Sequence, residues 1–82
     1  MWQGMKKKLT EFYVIRHPSA TSFVLAENPQ FNRYQWITEG EGNDHVDQLI
    51  FETEAQAQQT VQHIEDYKSM TGIISKVILT DE

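Results

Sequence analysis

The side chains that could do chemistry are few and widely spaced. Ser19, His17, His45, His63 and Asp66 are scattered, and the sequence itself brings no two of them together. Nucleophilic catalysis therefore has no support. His63 and Asp66 belong to a glutamine-rich stretch that reads as the wet side of a helix. Asp44-His45-Val46-Asp47, with Glu39 and Glu41 just before, gathers carboxylates around one imidazole. That run lacks the regular oxygen spacing of a calcium loop and the second histidine a zinc site needs, so it reads as a solvated acidic loop. There is no cysteine, which removes thiolate chemistry, disulfides and a zinc ribbon. The chain is read as non-enzymatic, and no cofactor or metal is assigned to it.

The elements that must position these groups centre on Phe51 to Leu79. Thr53 with Gln56 three residues later is the spacing of a capping box, so the pattern predicts a helix from about Glu54. Ala57, Val61, Ile64, Tyr67 and Lys68 recur at steps of three and four and define the buried stripe. Gly72 is taken as the left-handed residue after the helix, which then ends near Met70 or Thr71. Ile73 to Leu79 is β-branched and closes the chain as a strand. Upstream, Glu11–Arg16, Thr21–Ala26 and Arg33–Thr38 alternate in the period of two and are separated by Pro18 and Pro29 turns. They read as an antiparallel meander. Gln48 to Phe51 is a short strand or an extended lead into the helix.

The charge is lopsided. The net charge is −5, yet three of the seven basic residues are Lys6, Lys7 and Lys8. From Glu39 to Asp66 the chain carries eight acids and no Lys or Arg. Such a field attracts basic protein surfaces and repels phosphates. With 82 residues, one small core is all the chain can build. Residues 1–8 are expected to be a flexible leader and 9–82 a single domain. No apolar run is long enough to span a bilayer as a helix, so a cytoplasmic protein without membrane contact is expected.

Two resemblances follow from these residues. Phe12-Tyr13-Val14-Ile15-Arg16-His17 resembles the strand ending in Arg-His-Gly that carries the nucleophile of histidine phosphatases. Pro18, Ser19 and Ala20 replace the glycine and Glu-Thr pair of that family. Its second catalytic histidine comes from a large α/β domain, for which this length leaves no room, so phosphatase activity is set aside. Tyr13-Val14-Ile15, Trp36, Phe51, Thr53, Ala57 and the β-rich stretch around Val77 resemble small uncharacterised proteins of phages and mobile elements of Gram-positive bacteria. Some proteins of that kind, anti-CRISPR proteins among them, inhibit host defence or nucleic-acid-binding proteins, and this implies a similar inhibitory role.

Together the expectation is an α+β fold: an antiparallel sheet of three to four strands with one helix on one face, order β-β-β-(β)-α-β. Tyr13, Ile15, Tyr34 and Trp36 are expected partly on the uncovered face. A bare aromatic face needs a cover, either a second copy in sheet-to-sheet contact or another protein. The expected function is an acidic protein-binding module. Its candidate sites are Glu39, Glu41, Asp44 and Asp47 on the acidic surface and Tyr13, Tyr34 and Trp36 on the sheet. The alternative is a small nucleic-acid-binding domain using those aromatics and the basic tail.

Overall fold

A computed structural model describes residues 11–40 and 46–79. Its elements are β1 (Glu11–Arg16), β2 (Phe23–Asn28), β3 (Arg33–Thr38), β4 (Asp47–Gln48), α1 (Glu54–Lys68) and β5 (Ile73–Ile78). The fold is α+β, with one antiparallel sheet in the order β3-β2-β1-β5, β4 pairing to β2, and a single helix among the described residues.

The meander is looser than its short turns suggest. β1 and β2 share one residue pair, Arg16 with Val24, whereas pairing runs the length of β1–β5 and β2–β3. Residues 47–51 fill the gap. Asp47 and Gln48 pair with Glu27 and Ala26, the Leu49 N–H donates to the Leu25 carbonyl at 3.1 Å, and Phe51 then exchanges both backbone hydrogen bonds with Tyr13. This segment meets two mutually antiparallel strands in antiparallel sense, so it must bend between Gln48 and Phe51. The lead into the helix is thus part of the sheet.

The helix begins as its sequence dictates. The Thr53 side chain accepts from the Gln56 N–H at 3.2 Å, and the Gln56 amide oxygen accepts from the Thr53 and Glu52 N–H groups. Its end differs from expectation. The helix stops at Lys68, Ser69 takes the left-handed conformation (φ 55°), and the Met70 N–H donates to the Ile64 carbonyl. Gly72 instead serves close packing, because a β-carbon there would overlap the Ile15 γ2 methyl, with Trp36 and Ile64 also close. Glycine is required at 72 for contact, while Ser69 makes the turn.

Ile15, Leu25 and Ile64 are fully buried and form the centre of the core, with Tyr34, Trp36, Leu49, Phe51, Val61 and Met70 packed around them. This reverses the expected placement of the aromatics. Ile15, Tyr34 and Trp36 lie beneath the helix, because Gly72 lets the chain after α1 settle on Ile15 and Trp36. The other face is not bare either: Val14, Val24 and Ala26 are fully buried. Tyr67, expected in the helix stripe, is 73% exposed.

Candidate binding surfaces

Three regions of the surface carry groups that could recognise a partner. The first is the acidic stretch. Glu39 is anchored, because its carboxylate takes both ends of the Arg16 guanidinium at 2.8 and 3.1 Å, and that guanidinium also donates to the Thr21 carbonyl. The hydrogen bonds and charge of Arg16 hold the Glu39 carboxyl below its usual value against a smaller opposing effect of burial. This bidentate pair ties the β1–β2 turn to the end of β3, so Glu39 is a structural acid more than an offered one. Asp47 is exposed and sits directly across from Glu27 in the β2–β4 pair. Glu41 and Asp44, like His45 and the Lys6–Lys8 run, lie outside the described residues.

The sheet aromatics Tyr13, Tyr34 and Trp36 do not form one open platform. Trp36 is half-buried against the core and meets the His17 ring edge-on at 5.0 Å. Tyr13 is half-buried opposite Lys76 and is bridged to Phe51. Tyr34 turns one side to the core and the other to the helix, where its ring lies 6.0 Å from that of His63. The Ser19 hydroxyl is 3.3 Å from His17 Nδ1, but the Ser19 backbone N–H donates to the same nitrogen at 3.2 Å. That occupied nitrogen marks a turn motif rather than a base aimed at a hydroxyl.

The second region is the β5 edge, which strand patterning does not single out. β5 ends the strand order, and among the described residues nothing pairs with its outer side. Ile73 and Ile78 are 50% and 68% exposed, and Leu79, just beyond, is 50% exposed. Ile73 lies on one face of the strand, and Ile78 lies on the other together with Lys76, which Glu11 holds at 2.9 Å. An apolar edge strand offers unpaired backbone groups and side-chain contacts together. The signal was legible in the sequence as β-branched residues on both faces of a terminal strand; only the sheet order shows that it is an edge.

The third region is a cleft of about 110 Å³ lined by Glu27, Asn32, Arg33, Tyr34, His63 and Lys68. It lies where the β2–β3 turn meets the C-terminal half of α1. Asn28 fixes that turn: its side chain accepts from the Gln30 N–H, its carbonyl accepts from Phe31, and Asn32 closes it in the left-handed conformation. Among the described residues, no three His, Asp or Glu side chains are arranged to hold a metal. No described helix is long and apolar enough to cross a membrane.

Comparison with protein-family models, with curated proteins and with solved structures finds no match to this chain.

Proposed function

We propose that this chain is a non-catalytic protein-binding module that adds an extended segment of a basic partner protein to its β5 edge. The observation that carries this reading is the exposure of Ile73, Ile78 and Leu79 along a strand with no described neighbour on its outer side. In strand addition, backbone hydrogen bonds supply affinity, and alternate side-chain pockets supply selectivity. The net charge of −5 favours a segment flanked by Lys or Arg.

A second copy fits this edge less well. Pairing β5 with itself about a two-fold axis through Lys76 sets two ammonium groups opposite each other. An axis through Ser75 sets each Lys76 against Ile74 of the other copy, and both copies carry the same net charge. The finer reading, an inhibitor of a nucleic-acid-binding or defence protein, follows from the same charge argument: an acidic body held on a basic surface denies it to phosphates. Nucleic acid itself is the weaker reading, because Trp36 is committed to the core and most of the chain's charge is acidic.

Selection from a library of random linear peptides tests this. The expected binders alternate apolar residues and carry basic flanks, and they lose binding when Ile78→Lys is introduced at its exposed site. Binders with no apolar alternation, or binding indifferent to that change, overturn the reading.

A further inference from the structure

Four of the seven Lys and Arg residues lie among the described residues, and described acids hold two of them: Arg16 by Glu39 and Lys76 by Glu11. The remaining two, Arg33 and Lys68, line the same cleft, together with His63. In a chain of net charge −5 that convergence is local and opposes the general field.

Rigid elements place both cations. Arg33 is the first residue of β3 and follows the turn closed by left-handed Asn32. Lys68 is the last residue of α1. Exposed rings lie beside two of the lining residues. Tyr67 lies 5.0 Å from His63 and is 73% exposed, and Phe31 lies 5.8 Å from the Arg33 guanidinium carbon and is 63% exposed.

We propose that this cleft binds the phosphate group of a small nucleotide, whose base stacks on the Tyr67 ring outside it. A guanidinium fork, an ammonium and an imidazole are three separate donors. A tetrahedral phosphate has oxygens for all of them, whereas a carboxylate is satisfied by the guanidinium alone. Tyr67 packs against His63, one of the lining residues, and leaves most of its ring exposed, so the base is placed on that ring. Glu27 shares the cleft and, with Asp47 directly across from it in the β2–β4 pair, repels the anion, and the carbonyl end of α1 does the same. These charges oppose tight binding. This site is separate from the β5 edge and does not depend on it.

Amide chemical shifts of the full chain, followed on titration with inorganic phosphate and with adenosine monophosphate, test the proposal. Both ligands are expected to move Asn32, Arg33, His63 and Lys68, with the nucleotide binding more tightly. Arg33→Gln and Lys68→Gln each weaken both ligands about tenfold, as loss of one charge-assisted contact implies. Glu27→Gln strengthens both, and Tyr67→Ala removes the nucleotide's advantage while leaving phosphate binding intact. All four positions carry partly or fully exposed side chains, and thermal melts confirm that each variant is folded. Absence of shifts, weakening by Glu27→Gln, or binding that survives loss of both cations overturns the phosphate site. Equal affinity for the two ligands overturns the stacked base.

Discussion

Gly72 lies against Ile15 so closely that the γ2 methyl of Ile15 occupies the place where a β-carbon on residue 72 would stand. Ile15 is fully buried and cannot swing aside without disturbing Leu25 and Ile64. Through this contact the segment between helix and last strand reaches the sheet. Gly72→Ala is therefore expected to cost about 1–3 kcal/mol in chemical denaturation, the usual range for overpacking. Gly40→Ala is the control: its φ of 85° is strained for alanine, but no atom of the described residues lies within 4 Å of the new methyl. Its cost is expected to be about 1 kcal/mol. No cost at Gly72, or one smaller than that at Gly40, would refute the contact argument.

The helix stripe yields a graded prediction. Ile64 is fully buried in the core cluster, while Val61 is half-buried at its margin. Ile64→Asp buries an unpaired carboxylate at a cost of several kcal/mol, comparable with the whole stability of a small domain, so the chain unfolds. Val61→Asp should remain folded with a lowered melting temperature. Circular dichroism melts of the two variants check this order, and a wild-type melt for Ile64→Asp would contradict the helix orientation.

How much of the fold is readable from residues alone varies along the chain. Glu11–Arg16 and Arg33–Thr38 emerge at their expected bounds, and Thr53 with Gln56 starts the helix where the capping pattern places it. The choice of sheet face was not readable. In β1, Phe12 and Val14 on one side and Tyr13 and Ile15 on the other are equally apolar, so alternation cannot say which pair meets the helix. That choice rests on Gly72, whose lack of a side chain matters only once Ile15 is known to lie beside it. The helix end was missed for a related reason: a glycine marks permissive backbone or close contact, and Ser69 took the left-handed position without one. The cleft joins residues from β2, β3 and α1 that are far apart in sequence, so no local spacing could reveal it.

The Arg16–Glu39 pair makes a pH prediction. The folded pKa of Glu39 lies below its ordinary value of 4.5, so its stabilisation is fully present above that value and is lost as pH falls through the lowered folded value. Glu39 is 38% exposed at its side chain, so solvent screening keeps the contribution small, about 0.2–1 kcal/mol. Glu39→Gln should lower stability by that amount at neutral pH and lose its effect in acid. A difference from wild type that is unchanged from neutral to strongly acidic pH would show that the ion pair is not its source.

The central claim is that a partner segment pairs along β5. Amide hydrogen exchange across the whole chain, with and without the strongest peptide from the library selection, measures this directly. Pairing predicts that binding slows exchange at amides within Ile73–Ile78 that exchange rapidly in the free chain, while exchange in β3, at the opposite edge, stays the same. Protection that appears on β3 or around the Arg33–Lys68 cleft and leaves β5 unchanged would contradict it.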